Sequence, residues 1–291
     1  MTRPRLFVIS LVGLLGFTLC ACTDSGKPGD YFSRAERTLN IAHRGGVAEG
    51  PEHTLFSYAR ALESGADVLE LDVHLSRDGQ LVVLHDSTVN RTTDGEGAVE
   101  ELSLTELRAL DAGYRYSPDG ETYPERGKGH QIPTAREVFE RFPEAPYVIE
   151  LKRSGQEIAD ALIALVREFE LEDRAIIASV DGKTIRYVRE AAPELLTSFS
   201  LDEGFDFIDP PLETFDAYEP PARFFQLPFA AIDDTVVEKA RMKGVHLQAF
   251  TVNDEDEMKR LIEAGINGIM TDRPSLLTSL LADREMKPSA E

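Results

Sequence analysis

The chain has 291 residues, 42% of them hydrophobic, and a formal net charge of −21. That is enough apolar material for one large domain or two small ones. So acidic a chain excludes a nucleic-acid binder, which needs clustered Lys and Arg to neutralise phosphates. Its general field also repels phosphate esters, so any phosphate site must bring its own cations.

Arg3 and Arg5 precede an apolar run at 6–19 that is too short to span a bilayer comfortably and is patterned as an export signal. Leu19-Cys20-Ala21-Cys22 resembles a bacterial lipobox, in which Cys22 would become the lipidated N-terminus. A cleaved leader with two incidental cysteines is the alternative. Residues 1–22 are therefore expected to direct export to the periplasmic side of the envelope, with a lipid anchor to the membrane at Cys22. Residues 23–37 are small and polar and read as a flexible tether. Both cysteines fall in the leader, which excludes disulfides and thiolate metal sites from the rest of the chain.

Beyond the tether, short apolar runs alternate with amphipathic stretches. Strands are expected at 39–43, 66–75, 81–85, 147–152, 175–179, 195–200, 223–227, 245–252 and 267–272. The stretch 54–63 carries Leu55, Tyr58, Ala59 and Leu62 on one helical face, with Gly65 as a stop. Further helices are expected at 155–170, 182–191, 234–243 and 254–264, the last two closed by Gly244 and Gly265. Ser103 with Glu106, and Thr134 with Glu137, have capping-box spacing.

This alternation over 38–283 predicts one α/β unit of (β/α)8 barrel type. A doubly wound sheet competes, but no GxGxxG or Walker-type loop follows an early strand. Nine candidate strands for eight places make at least one of them accessory. Residues 86–133 read as an elaborated loop over one end, and 284–291 as a C-terminal tail.

Side chains alternate along a strand, so Glu70, Asp72 and His74 share one face, as do Val148, Glu150 and Lys152. The outer face of a barrel strand meets helices, so these charges must point inward, where they need counter-ions. Converging carboxylates would repel one another unless a cation sat among them, and a hard divalent ion with oxygen ligands resolves the conflict. Lys152 is either a counter-ion to Glu150 or a holder of a substrate anion.

Between Asp72 and His85 there is no room for a crossover helix, and Asp78-Gly79 signals a hairpin. A turn at 78–79 would set His85 directly across from Asp72. His43 follows Ile41 at i+2 and leaves the first strand at the carboxyl end, where barrel active sites are built. Gly45 and Gly46 either leave space for a ligand or serve a turn needing positive φ.

HRGG (43–46), PEHT (51–54), ELDVHLSRDGQLVVLHD (70–86), IELK (149–152), FTVND (250–254) and GINGIMTDRP (265–274) resemble motifs of the glycerophosphodiester phosphodiesterases. IPTAREVF (132–139) resembles the segment before that family's fourth strand, and the likeness runs from about 39 to 283. The resemblance implies a distorted (β/α)8 barrel that cleaves diesters such as glycerophosphocholine or glycerophosphoethanolamine to glycerol 3-phosphate and an alcohol. It implies Glu70, Asp72 and Glu150 as ligands of one Ca²⁺ or Mg²⁺, and His43 and His85 as the general acid/base pair. It further implies Arg44 and Lys152 as phosphate contacts, Glu52 near metal and substrate, and 247–252 and 267–272 as the last two barrel strands. The accessory strand is then a middle one.

Two positions depart from the family pattern. His53 replaces a common asparagine, and Phe250 stands where tryptophan is frequent, leaving a weaker ring for a choline-like head group. A lysophospholipase-D-type activity is the competing enzyme reading, to be favoured by an apolar cleft in the loop bearing Tyr114, Tyr116 and Tyr123. A surface-tethered binding lipoprotein is the non-enzymatic alternative. No protein partner is assigned.

Overall fold

The computed structural model describes residues 30–285. The leader with Cys22, the first part of the tether and the tail at 286–291 lie outside the described residues. Nine strands form one sheet: β1 (Leu39–Ala42), β2 (Val68–Leu75), β3 (Leu81–Val83), β4 (Tyr147–Leu151), β5 (Ala175–Ala178), β6 (Leu196–Thr197), β7 (Phe224–Pro228), β8 (His246–Phe250) and β9 (Gly268–Thr271). Eight run in the order β6-β5-β4-β2-β1-β9-β8-β7, with parallel neighbours. Just past β6, Ser198 bridges to Phe224, and the Phe199 N–H donates to the Phe224 carbonyl at 2.9 Å. These contacts bring the two edges together into a nearly closed barrel.

The helices are α1 (Leu55–Glu63), α2 (Leu104–Arg108), α3 (Ala135–Arg141), α4 (Gln156–Glu168), α5 (Gly182–Ala191), α6 (Leu201–Ile208), α7 (Asp234–Lys243), α8 (Glu255–Ala264) and α9 (Pro274–Glu285). Each expected helix begins where a capping side chain or a glycine permits. Thr54, Asp181, Asp233 and Asp254 accept from backbone N–H groups three residues on. The capping boxes at Ser103/Glu106 and Thr134/Glu137 form as their spacing predicts. The sequence did not signal α6, which is short and interrupted by Gly204. A Cβ there would lie 2.9 Å from the Phe225 ring, so tight helix–strand packing requires the glycine.

Strand alternation sorts the core into layers. Leu39, Ile41, Val68, Val148, Ile176, Phe224 and Met270 fill the barrel interior. Leu69, Leu71, Val73, Ile149 and Ile177 face outward and pack with residues of α1, α3, α4 and α5. Phe225, Leu227, Leu247 and Ile269 form the outer layer with residues of α6 to α9.

Residues 30–37, expected within the tether, belong to the fold. Phe32 is 2% exposed and packs into the interior cluster at the amino-terminal ends of the strands. Asp30 accepts from Arg223 at 2.8 Å, and the Tyr31 N–H donates to the Asp173 carbonyl.

The accessory strand is β3, earlier in the chain than the family likeness suggested. It pairs antiparallel with β2 in a register of Val73 with Val83 and Leu75 with Leu81. This is one residue away from the expected hairpin. Ser76 and Gln80 close a three-residue loop in which Gly79 takes φ +75°, instead of a two-residue turn. Leu84, not His85, therefore meets Asp72, its N–H donating to the Asp72 carbonyl at 3.0 Å. The 86–133 insertion rests on Val82 and Leu84 through a small core of its own with Val89, Val99, Leu107, Ala112 and Ile132.

Candidate active site

The interior alternation that buries Val68 and Val148 carries Glu70, Asp72, Glu150 and Lys152 inward at the carboxyl end of the barrel. Glu70 and Asp72 are 3% and 1% exposed, so two carboxylates sit nearly dry beside each other. Burial, and then the charge of Asp72, pushes the Glu70 carboxyl well above its usual range, against the Arg44 N–H that it accepts at 2.7 Å. Burial also acts on Asp72, but His53, Lys152 and Arg44 together hold it below the ordinary carboxylate value. Within the pair, Glu70 is thus the acid whose charged form burial disfavours, and Asp72 the one whose charged form its cationic neighbours favour.

Lys152 stands between two acids, 3.4 Å from Asp72 Oδ1 and 3.2 Å from Glu150 Oε2. Burial lowers its ammonium, but Asp72 and Glu150 more than compensate and raise it. Burial raises Glu150, with Lys152 opposing.

The donor atoms of His53, Glu70 and Asp72 all lie within 4.8 Å of one another. His53 adopts φ +56°, which turns its ring so that Nε2 meets Asp72 Oδ2 at 2.9 Å and Nδ1 meets the Tyr58 hydroxyl at 2.7 Å. Burial lowers its pKa, favouring the neutral ring. The tight group thus includes His53, read from the sequence only as a departure, while Glu150 stands outside it on Lys152. The buried carboxylates of Glu70 and Asp72, with Glu150 close by on Lys152, offer the oxygen donors that a hard divalent cation takes, and its charge would relieve the repulsion between them.

His43 opens a tight turn, His43–Gly45, in which Arg44 sits at φ +52°. Gly45 and Gly46 serve that turn: both have positive φ, and added Cβ atoms would approach Tyr58 at 3.1 Å and Pro274 at 2.9 Å. Turn and packing alone therefore account for both glycines. Arg44 lies 3.3 Å from Glu52 and 3.5 Å from Asp72, yet its Nε is buried without a hydrogen-bond partner. That Nε is the atom facing Asp72 Oδ2, at a distance that makes an ion pair without a hydrogen bond.

Each histidine at the mouth is held by a carboxylate. His43 Nδ1 lies 2.6 Å from Asp272 Oδ1, and Asp272 in turn accepts from Asn253 at 2.6 Å. His85 Nδ1 lies 2.7 Å from Asp86 Oδ1. Both contacts favour an Nδ1–H donor and leave Nε2 as the nitrogen available for proton transfer. His85 is past its strand end, one residue beyond the position opposite Asp72, but within electrostatic reach of Glu150. Arg91 clamps this side, donating to both oxygens of Glu52 at 2.7 Å and to Asp86 at 2.7 Å. Burial raises Asp86, but Arg91 and His85 bring it down to about 2. Glu52 is 9% exposed and is spent on Arg44 and Arg91.

The sequence reading missed Asp272, Asn253 and Arg91. Asp272 follows the inward Met270 at i+2, so the alternation that found His43 could have found it as well. Arg91 lies in an aperiodic loop and gives no such signal.

The tyrosines of the insertion do not form an apolar cleft. Arg126 lies 4.1 Å from the Tyr114 ring and 4.0 Å from the Tyr123 ring, and the Tyr116 hydroxyl donates to the Ala48 carbonyl. Phe250, half-buried at the end of β8, edges an apolar recess on the opposite side.

Residues 43–276 match the model of the glycerophosphoryl diester phosphodiesterase family. A glycerophosphodiester phosphodiesterase of Caldanaerobacter subterraneus is 37% identical, over 84% of this chain and 98% of its own length. One from Bacillus subtilis is 35% identical, over 93% of this chain and 94% of its own. Among solved structures, an Oleispira antarctica phosphodiesterase in complex with the product sn-glycerol-3-phosphate superposes with a TM-score of 0.71. It is 26% identical, over 84% of this chain and 97% of that one.

Proposed function

The chain belongs to the glycerophosphoryl diester phosphodiesterase family, and from that premise we propose a metal-dependent hydrolase of small glycerophosphodiesters with a two-histidine mechanism. It takes substrates such as glycerophosphocholine or glycerophosphoethanolamine and releases glycerol 3-phosphate and an alcohol. The observation that carries this reading is the pair of histidine–aspartate contacts, His43–Asp272 and His85–Asp86, at the mouth of the barrel.

One imidazole takes the proton from the attacking oxygen as its bond to phosphorus forms. The other gives a proton to the alkoxide as the old P–O bond breaks, so neither charge has to accumulate. Arg44, whose side chain is partly exposed, and Lys152 would supply positive charge to the phosphoryl oxygens. Glu70, Asp72 and Glu150 would hold one Ca²⁺ or Mg²⁺, which when bound supplies further positive charge to the phosphoryl oxygens. His53 orients Asp72 through its 2.9 Å contact. We also propose export and lipid attachment at Cys22, on the strength of the basic start, the apolar run and LCAC.

A glycerophosphocholine assay tests the enzyme reading. EDTA should abolish turnover and Ca²⁺ or Mg²⁺ restore it, while His43→Ala and His85→Ala should each lower kcat by roughly 10²–10⁴-fold with unchanged circular dichroism. Activity that survives chelation, or survives both substitutions, overturns the mechanism.

A further inference from the structure

The segment leaving β8 is laced to the end of β9 by one side chain, Asn253. Its amide Nδ2 donates to Asp272 Oδ2 at 2.6 Å, and its Oδ1 accepts from the Asp272 backbone N–H at 2.9 Å. The same Oδ1 accepts from the Thr271 hydroxyl at 3.1 Å. The Asp272 carbonyl accepts from the Ala48 N–H at 3.1 Å, in the chain that returns from the His43 turn. Asp272 is thereby fixed at its backbone N–H, at its carbonyl and at one carboxylate oxygen. Its other carboxylate oxygen is left for His43 Nδ1, 2.6 Å away.

The chemistry of the side chain matters here. A primary amide carries a donor and an acceptor on one carbon, so Asn253 can give a proton to the Asp272 carboxylate while accepting the Asp272 N–H. Aspartate at the same place lacks the donor and would set a second carboxylate against the first. Alanine supplies neither bond. The terminal torsion of an aspartate is broad and two-fold, so an Asp272 without its amide partner turns more freely. The imidazole that it holds then loses its fixed direction. A carboxylate that fixes the tautomer of a proton-transferring histidine works only as well as it is itself oriented.

We propose that Asn253 is a positioning residue for proton transfer at His43. It sets the Asp272 carboxylate so that His43 keeps its proton on Nδ1 and presents Nε2 to the phosphodiester. The inference rests on the phosphodiesterase reading and adds to it a residue that acts only through Asp272. In each transfer the proton enters or leaves His43 at Nε2. Nδ1 keeps its own proton, and Asn253 exchanges none.

The test joins glycerophosphocholine turnover by the metal-loaded protein to nitrogen NMR of its histidine rings, with the His43 signals assigned through His43→Ala. Asn253→Ala and Asn253→Asp should each lower kcat by about 10- to 100-fold, with KM unchanged. The parent should show His43 as a single Nδ1–H tautomer, and both variants should show a mixture. Thr271→Val is the control for lost stitching alone, since it removes a buried hydroxyl from Asn253 Oδ1 without touching the Asp272 carboxylate. It should lower the melting temperature but keep the parent's kcat and tautomer. A parent-like tautomer in both Asn253 variants overturns the positioning role and leaves the phosphodiesterase reading intact. So does a loss of kcat that follows the melting temperature across all three variants, or failure of both Asn253 variants to fold, since each marks Asn253 as structural. Failure of the parent to hydrolyse glycerophosphocholine overturns the underlying activity, and the inference with it.

Discussion

The two sides of the barrel mouth solve the problem of an open cleft in opposite ways. Around the His43 turn and the upper face of the insertion, the groups facing the mouth are tied by charge: Arg91 to Glu52 and Asp86, His85 to Asp86, Arg126 between two tyrosine rings. Around β5 to β8 the surface is held by apolar packing, with Phe199, Phe207 and Phe225 in mutual ring contact. Charged groups need a partner at each lone pair and each proton, so one deletion on the first side orphans several neighbours. Apolar packing is non-directional, so the second side tolerates change at its lip. The proposed proton transfers, which require fixed orientation, would fall on the first.

Substitutions can break or sharpen this contrast. The largest effect is expected at Glu70, where burial disfavours the charged carboxylate. Glu70→Gln should lower metal-supported turnover by about 10²–10³-fold or more, yet melt at an equal or higher temperature in EDTA. The sign follows from the raised carboxyl: a folded pKa above the unfolded value of about 4.3 gives stability that is full below that value and lost as pH rises through the folded one. Glutamine does not titrate, so its advantage in thermal melts should grow from about pH 4 to pH 8. A lower melting temperature across that range would show that Glu70 is a structural acid.

A middle-sized effect is expected at Arg91, whose guanidinium is half exposed. Arg91→Ala should cost about 1–2 kcal/mol in urea unfolding, less than a fully buried pair would. Asp86, held at about 2 in the folded protein, contributes stability above its unfolded value of about 3.9 and loses it as pH falls towards about 2. Hydrogen exchange within 86–133 should therefore loosen between about pH 4 and 2 in the parent, and at higher pH in the variant. Exchange with the same midpoint in both would remove Arg91 from its clamping role.

The smallest effect is expected on the other side. Leu201→Ser, at an exposed position on the lip, should change stability by no more than about 0.5 kcal/mol, measured by the same urea titration. A larger loss would mean that the lip is structural and the two sides are alike.

Much of this contrast was legible in the sequence, because strand alternation is a simple rule. It put Glu70, Asp72, Glu150 and Lys152 inside the barrel, and it would have added Asp272 had 267–272 been read the same way. What escaped depends on choices that residue types leave open. Asp78-Gly79 fits a two-residue or a three-residue loop equally well, and that choice moved His85 by one position. Arg91 is an unremarkable arginine in a loop until Glu52 and Asp86 are brought to it from opposite ends. Gly204 argues against a helix until Phe225 is seen against it. His53 was read as the loss of an asparagine, whereas its positive φ makes it the neighbour of Asp72.

Phe32 is wedged among the amino-terminal strand ends and the barrel interior is filled by its own side chains, so the charged residues of the site open only toward the carboxyl end among the described residues. In the proposed reaction the departing phosphate monoester carries more negative charge than the diester and would leave past the same Arg44 and Lys152. Product is then expected to compete with substrate for those cations, which inhibition by added glycerol 3-phosphate would measure.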